Sequence, residues 1–171
     1  LSTMARKLGR PTKERMHILR NQVSELLWYG QIETTVDRAK EVRRLADKMI
    51  TLAVRTYDDT IKTTKEKVNL KGEKVAVEYT NDGVRKLAAR RKMMSVLRDL
   101  QEPKKEKESK TAYNDRTRDV KHPLVEKVFN VYGPKYAKRA EELGQGGGYT
   151  RVIKMTERRG DNAERAIVQL V

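Results

Sequence analysis

Apolar residues recur at helical spacing near the start of the chain. Within residues 12–29 they fall three or four positions apart, which places them on one face of a helix. Gly30 follows directly and favours the end of a helix, while Thr12 can cap its beginning. The predicted buried positions are Met16, Leu19, Val23, Leu26 and Leu27. The pattern predicts a first core helix, with Trp28 either in the core or available to stack on a base.

Three further stretches have the same periodicity. A second helix begins at a capping Asp37 and runs to about Ala53, and a third covers residues 85–100. His122-Pro123 opens a fourth, which Gly133-Pro134 ends, and a short helical piece follows over residues 135–143. The predicted buried residues of these helices are Val42, Leu45, Ala46, Met49, Ile50, Ala53, Val84, Leu87, Ala88, Met94, Leu97, Leu124, Val125, Val128, Phe129 and Tyr132.

Segments rich in β-branched and aromatic residues predict strands. Residues 31–35 form one such segment, and residues 149–156 and 166–171 form two more. Between the last two lies a stretch with Gly, Asp and Asn, which supply the backbone freedom of a tight reversal. The sequence therefore predicts a C-terminal β-hairpin, and Arg158 and Arg159 give that hairpin a cationic tip.

Two internal segments lack this order. Residues 56–83 alternate Thr and Lys around one short strand at 75–79, and they predict a surface insertion. Residues 101–120 are rich in Lys and Glu and hold few large apolar groups, which does not offset the entropy lost on ordering. They predict a second insertion, a mobile loop over 102–119. The glycine run at 144–148 predicts a flexible joint that allows close backbone approach.

The N-terminus predicts an extended basic arm over residues 1–11. Residues 4–11 hold three cations and no carboxylate, and Gly9 and Pro11 disfavour a helix there. A frayed terminus that orders only on a partner fits the same composition. The sequence leaves open whether residues 1–3, before Met4, are native or an added extension.

Charge restricts the class of function more than any single motif. Lys and Arg number 39 against 24 Asp and Glu, so the formal net charge is +15 and the isoelectric point is near 10.0. Such a surplus is costly to a compact state because like charges repel one another. A polyanion, of which nucleic acid is the commonest, is the natural partner.

Catalytic and metal-binding patterns are missing from the sequence. The chain has no cysteine, which excludes disulfides, thiolate catalysis and Cys-ligated zinc. His17 and His122 are far apart, and the glycine run lacks the Gly-Lys-Ser/Thr of a phosphate loop. No apolar run is long enough to span a bilayer, and there is no signal peptide. We predict no enzymatic activity, no metal, no cofactor, no small-molecule substrate and no membrane partner.

Several short motifs occur in a fixed order along the chain. They are Arg6-Lys-Leu-Gly-Arg10, Leu19-Arg-Asn21, Ile32-Glu-Thr-Thr35, Arg38-Ala-Lys-Glu-Val-Arg-Arg44, Ile50-Thr-Leu-Ala53, Gly147-Gly-Tyr-Thr-Arg-Val152 and Arg158-Arg-Gly-Asp-Asn-Ala163. Together they resemble the family of the seventeenth protein of the bacterial large ribosomal subunit. Leu87–Arg91 and Leu124–Arg139 match more loosely. The chain departs from the family near 56–83, 101–120 and 141–145, where most members are shorter.

The resemblance implies an α+β fold, a two-layer α/β domain whose helices pack on a small mixed sheet ending in the C-terminal hairpin. It implies one ribosomal-protein domain over residues 1–171, located in the cytoplasm within the ribosome. It also implies a structural, non-catalytic role in translation. The expected partners are the 23S rRNA near the polypeptide exit side and, as neighbours, proteins twenty-two and thirty-two of the same subunit.

On this interpretation the basic clusters contact RNA phosphates and 2′-hydroxyls. The major groove of A-form RNA is too deep and narrow for side chains to enter, and the fork of Arg can hold a phosphate through two hydrogen bonds. The predicted RNA-binding residues are Arg6, Lys7, Arg10, Arg15, Arg20, Arg43, Arg44, Arg151, Arg158 and Arg159. Two alternatives stay open: a free-standing nucleic-acid-binding regulator, expected to be a symmetric dimer, and an RNA-processing enzyme that depends on a metal or on a histidine.

Overall fold

The computed structural model describes residues 6–68 and 72–171. The predictions for residues 1–5 of the arm and for residues 69–71 of the first insertion lie outside these residues. The elements in chain order are α1 (Thr12–Tyr29), β1 (Gln31–Thr35), α2 (Val36–Val54), β2 (Thr60–Val68), β3 (Lys74–Asp82), α3 (Val84–Val96), α4 (Lys110–Thr117), α5 (Pro123–Lys127), a π-helical turn (Val128–Tyr132), α6 (Gly133–Leu143), β4 (Thr150–Lys154) and β5 (Arg165–Leu170).

One sheet has the strand order β1-β5-β4, and a separate two-stranded ribbon pairs β2 with β3. In the larger sheet β5 is central, with Ala166 opposite Thr34 of β1 and Val168 opposite Val152 of β4. The α+β class and the C-terminal hairpin are confirmed. The prediction of a mixed sheet is wrong, because β5 runs antiparallel to both of its neighbours. A short connection such as the β4–β5 loop permits only antiparallel pairing.

α1 and α2 pack on the sheet and supply most of the core. The predicted stripes on both helices are confirmed: Val23, Leu26, Val42 and Ile50 are fully enclosed, and Met16 and Leu45 pack at the edge of the core. Trp28 also packs against the core, half-buried, with the Lys127 ammonium 5.5 Å from its ring centroid. A core position for Trp28 is therefore the correct alternative.

The predicted side-chain caps of these two helices are wrong. Thr12 and Asp37 lie inside the first turns, while Pro11 and Thr35 occupy the cap positions without a side-chain cap hydrogen bond. The backbone carbonyl of Pro11 accepts the first helical bond, from the N–H of Arg15 at 3.0 Å. Proline suits this position because its φ is already restricted and it is not required to donate there.

α3 is rotated relative to its predicted face. Val84 is 81% exposed and Leu87 and Met94 are also exposed, whereas Lys86, Ala89, Met93 and Leu97 are buried. The prediction is therefore right only at Leu97, and Ala88 too lies on the exposed side. The cause is Lys86, whose ammonium donates to the Tyr57 carbonyl at 3.1 Å and lies 3.7 Å from Asp82. These polar partners allow a lysine to turn inward, which periodicity alone does not reveal.

Gly133-Pro134 does not end the helix that His122-Pro123 begins. The chain passes from α5 through the π-helical turn directly into α6, and the Gly133 N–H donates to the Val128 carbonyl five residues earlier. Proline is compatible with this path because it lies in the first turn of α6. Gly133 is required by packing, since a Cβ there would lie 2.9 Å from the Cβ of Tyr57.

The loop predicted over residues 102–119 contains a helix, so that prediction is wrong at residues 110–117. Residues 110–117 form α4, whose N-terminus is capped by the Ser109 hydroxyl. Arg116 forms ion pairs with Glu102 and Glu108, and the Tyr113 hydroxyl donates to the Glu102 carbonyl at 2.9 Å. A network of charges therefore orders a segment in which no helical residue is buried.

The predicted surface insertion over residues 56–83 forms the β2–β3 ribbon, in which only the β3 strand was predicted. Asp59 holds the base of the ribbon on α3, because its carboxylate accepts from the backbone N–H groups of Arg85 and Lys86 at 2.9 and 3.1 Å. A Cβ on Gly83 would collide with that carboxylate. The position therefore requires glycine.

The arm and the glycine run also differ from prediction. The described part of the arm is non-helical as predicted, but it makes a turn in which the Arg10 N–H donates to the Lys7 carbonyl at 3.1 Å, so it is not extended there. In the glycine run, no atom lies within 4 Å of a Cβ built at any of its glycines, so close approach is wrong. Gly144, Gly147 and Gly148 have positive φ, and that backbone conformation explains glycine at those three positions.

Candidate nucleic-acid interface

α2 carries a polar stripe beside its buried face. Lys40, Arg43, Arg44 and Asp47 are spaced i, i+3, i+4 and i+7, so they share one side of the helix. The Thr150 side chain of β4 donates to the Asp47 carboxylate at 2.9 Å, which fixes the stripe against the sheet. The helix thus buries its apolar side and presents three cations next to β4.

A groove of about 830 Å³ opens where this stripe meets β4 and the N-terminal arm. Arg6 lines it from the arm, Lys40, Arg43 and Arg44 line it from α2, and Lys154 lines it from β4. Two carboxylates, Glu41 and Asp47, complete its charged lining. The groove therefore brings together cations from three parts of the sequence.

The two carboxylates are engaged by internal partners. Glu41 accepts from the backbone N–H of Arg6 at 3.3 Å and lies 3.8 Å from the Arg44 guanidinium. Burial raises the pKa of Asp47, while the Thr150 hydrogen bond and the nearby Arg43 oppose that rise. Glu41 is buried and Asp47 half-buried, whereas Lys40, Arg43 and Arg44 are exposed, so the groove presents mainly cations to an external ligand.

Three predicted RNA-binding residues, Arg6, Arg43 and Arg44, meet in this groove. Lys40 and Lys154 also line it and were not predicted. Lys40 could have been found from its position three residues before Arg43. Lys154 could be assigned to the groove only from the position of β4 in the fold, where it lies on the same face as Val152.

Apart from Arg6, the predicted cations of the arm and α1 lie outside the groove lining. Lys7 and Arg10 are exposed, and Arg10 pairs with Glu14 at 3.2 Å. Arg15 donates to the carbonyl of Arg6 at 3.2 Å, so it fixes the arm to α1. Arg20 is half-buried on the same helix. These residues are spread over the arm and α1 and do not converge on one site.

The predicted cations of the C-terminal hairpin also stand apart from the groove. Arg151 alternates with Val152 and so lies on the opposite face of the sheet, where it is exposed. Arg158 binds the Asp161 carboxylate with two nitrogens; this lowers the pKa of Asp161 to about 2 and raises the pKa of Arg158. Arg159 is exposed beside them. Of these three arginines, Arg158 is already paired with a carboxylate of the same loop, that of Asp161.

Over residues 6–68 and 72–171, no group of three or more His, Asp or Glu side chains is arranged to hold a metal ion. No helix in the same ranges is long and apolar enough to cross a membrane.

The fold and the groove define an α+β protein with a strongly basic surface. The family model for ribosomal protein L17 matches residues 18–171, and the chain belongs to that family. Its relatives include the large ribosomal subunit protein bL17 of Clostridium tetani, 38% identical, and that of Clostridium acetobutylicum, 37% identical; each match covers 97% of this chain and 96% of the relative. The protein of the same name from Lachnospira eligens is 37% identical over 97% of this chain and 98% of the relative. The resemblance in the sequence motifs is confirmed.

Proposed function

We propose that this chain is a structural constituent of the large ribosomal subunit that holds folded 23S rRNA through its Arg and Lys side chains. Its relatives carry the name of a large-subunit protein and match it almost from end to end. The role is adhesion rather than catalysis. The chain works as one domain in translation, within the ribosome of the cytoplasm.

The groove between the arm, α2 and β4 is the observation that carries this proposal. Its five cations line one groove, and its two carboxylates accept hydrogen bonds from the Arg6 backbone and the Thr150 side chain. Arg43 and Arg44 are exposed on adjacent positions of α2, where their planar forks can each hold a phosphate through two hydrogen bonds. The remaining predicted RNA-binding residues extend this contact over the arm, α1 and the hairpin.

The proposed place in the subunit is near the polypeptide exit side, beside proteins twenty-two and thirty-two. Only the resemblance to the family supports this placement. The two segments near 56–83 and 101–120 are proposed to be surface additions to the family core. The β2–β3 ribbon and α4 supply their ordered parts.

Two double variants test the proposal in cells where each replaces the native chain. Arg43→Glu with Arg44→Glu alters the groove, and Arg158→Glu with Arg159→Glu alters the hairpin loop. We expect both to reduce the amount of the chain that sediments with large subunits through a sucrose gradient, because each change places carboxylates against RNA phosphates. The loss of affinity relative to the unmodified chain should shrink as salt rises, because a variant with fewer phosphate contacts displaces fewer counterions and depends less on salt.

The control is Lys104→Glu with Lys105→Glu, which makes the same change in net charge at exposed positions outside the groove. We expect this variant to sediment with the large subunit as the unmodified chain does. If both arginine variants remain in the subunit as well as the control does, RNA adhesion through these residues is wrong. An unmodified chain found only at the top of the gradient would favour the free-standing regulator.

A further inference from the structure

The β2–β3 ribbon stands out from the body of the protein. In the described residues 60–68 and 74–82 no side chain is buried, and only Thr63, Val77, Tyr79 and Asp82 are half-buried. Its attachment lies at its base, where Arg90 of α3 binds Asp82. A two-stranded hairpin is marginally stable alone in water, so we expect the ribbon to pack against another surface.

The register of the ribbon separates two faces of different chemistry. Residues 61, 63, 65 and 67 pair with 81, 79, 77 and 75, so these eight side chains share one face, here named the Tyr79 face. Two contacts confirm the arrangement: Asn81 donates to the Thr63 hydroxyl at 3.1 Å, and the Lys67 ammonium lies 5.2 Å from the Tyr79 ring centroid. On the opposite face, Lys74 lies 3.7 Å from Glu66.

Charge is distributed unequally between these faces. The Tyr79 face holds two lysines, Lys65 and Lys67, and no carboxylate. The ribbon's three carboxylates, Glu66, Glu78 and Asp82, all lie on the opposite face. The face with the ribbon's tyrosine and most of its large aliphatic groups is therefore also the one that attracts an anion, while Val68 lies on the opposite face.

Apolar groups on the Tyr79 face are open to solvent. Ile61 is 52% exposed and Val75 is 39% exposed, while Tyr79 is half-buried. Lysine is depleted from the cores of protein–protein interfaces, so an apolar strip interrupted by two lysines fits a protein partner poorly. It fits RNA, which presents phosphates beside flat sugar and base surfaces on which aromatic and aliphatic groups can pack.

We infer that the Tyr79 face of the ribbon is a second RNA-binding surface, independent of the groove. Lys65 and Lys67 contact phosphates, and Ile61, Val75 and Tyr79 pack on sugars and bases in a wide minor groove or an irregular junction of ribosomal RNA. The opposite, carboxylate-bearing face remains toward solvent. This inference rests on the proposed function, because it takes the RNA of the large subunit as the partner.

Cysteine labelling tests which face is covered. The chain has no cysteine of its own, so a single introduced thiol reports on one position. Lys65→Cys lies on the Tyr79 face, and Lys62→Cys is the matched control on the opposite face, with the same side chain removed and the same exposed setting. Alkylation by a small maleimide is followed in the free chain and in purified large subunits that contain it.

We expect both thiols to react in the free chain and only the one at position 65 to lose reactivity in the subunit. A photoreactive group attached to the same thiol then identifies the covering molecule. The expected adduct at position 65 raises the mass of the chain, and nuclease digestion removes almost all of that added mass. Equal reactivity at the two positions in the subunit, or an adduct whose mass nuclease leaves unchanged, would overturn the inference while the proposed function stands.

A second measurement uses charge rather than labelling. Lys65→Gln with Lys67→Gln should lower the dependence of rRNA affinity on salt by about 1 in the log–log slope for each phosphate that the variant no longer binds. Lys62→Gln with Lys74→Gln removes the same charge from the opposite face and should leave the slope unchanged. Equal slopes for the two variants would contradict the inference. Failure of every variant and of the unmodified chain to enter the subunit would overturn the proposed function, and this inference with it.

Discussion

We expect Arg90→Ala to lower the free energy of unfolding more than any other single removal of a charge in the described chain. The Arg90 guanidinium binds the Asp82 carboxylate with two nitrogens and the Glu126 carboxylate with a third. It also lies 5.2 Å from the centroid of the Phe129 ring. One side chain therefore joins α3 to the base of the ribbon and to α5.

The expected magnitude follows from the degree of burial. Arg90 and Asp82 are only 19% and 17% exposed, and Glu126 is 33% exposed. An exposed ion pair contributes about 0–1 kcal/mol, whereas breaking a fully buried pair costs about 3–5 kcal/mol. The partial burial here places Arg90→Ala at about 2–3 kcal/mol, because the change leaves Glu126 without its cation and Asp82 with only the Lys86 ammonium at 3.7 Å.

Equilibrium unfolding in urea, followed by circular dichroism and by the fluorescence of Trp28, measures this loss. Arg90→Lys should have a stability between those of the unmodified chain and Arg90→Ala, since lysine keeps the charge but lacks the planar fork. Arg91→Ala is the matched control on the next, exposed position of α3 and should change the free energy of unfolding by less than about 0.5 kcal/mol.

The dependence on pH gives an independent check. The hydrogen bond from Arg90 lowers the pKa of Asp82 below its ordinary value of 3.8. A lowered folded-state pKa stabilises the fold above that ordinary value, and the stabilisation is lost as the pH falls through the folded-state pKa. The difference between the unmodified chain and Arg90→Ala should therefore narrow below the ordinary aspartate pKa. A difference under about 0.5 kcal/mol at neutral pH, the level of an ordinary surface change, would refute the reasoning.

Two further changes test the packing around the π-helical turn. Gly133→Ala should destabilise the chain by about 1–3 kcal/mol in urea unfolding, because the new methyl group would lie 2.9 Å from the Cβ of Tyr57 and force a shift. Tyr132→Phe should cost about 0.5–1.5 kcal/mol by the same measurement, because it removes a buried hydrogen bond of 2.8 Å to the Leu27 carbonyl.

Each of these changes has a control in the same region. Gly146→Ala adds a methyl group where no atom lies within 4 Å, so it should have little effect. Tyr136→Phe removes a buried hydroxyl that has no hydrogen-bond partner among the described residues, and it should not destabilise the chain. If Tyr136→Phe costs as much as Tyr132→Phe, the hydrogen bond to Leu27 is not the cause of the loss.

The sequence predicted correctly the helices that bury an apolar stripe. Its predictions were wrong for helices that are held in place by polar partners. α1 and α2 were predicted from spacing alone because their buried residues are apolar. α3 was predicted with the wrong face, since Lys86 turns inward to the Tyr57 carbonyl, a partner 29 residues away. α4 was missed because Arg116 and two glutamates order it, and a composition rule counts those same residues as signs of disorder.

Only the part of the groove that lies on one helix was predictable from the sequence. Arg43 and Arg44 belong to one basic cluster on one helix, so their proximity is local. Arg6 and Lys154 reach the groove through the tertiary fold. Arg6 does so because the arm docks on Glu41, and Lys154 because β4 packs beside α2. The charge of the chain predicts a polyanionic partner, whereas the convergence of these cations depends on contacts between distant residues.

α2 explains why the fold and the proposed function are difficult to separate in this chain. Its enclosed residues, such as Val42 and Ile50, pack in the core, and its polar stripe forms one wall of the groove. Asp47 connects the two, since it accepts a hydrogen bond from Thr150 of β4 while lying near Arg43. A change that moves α2 against the sheet must therefore also move the cations of the groove. Loss of RNA binding can be assigned to lost charge only where the free energy of unfolding is unchanged.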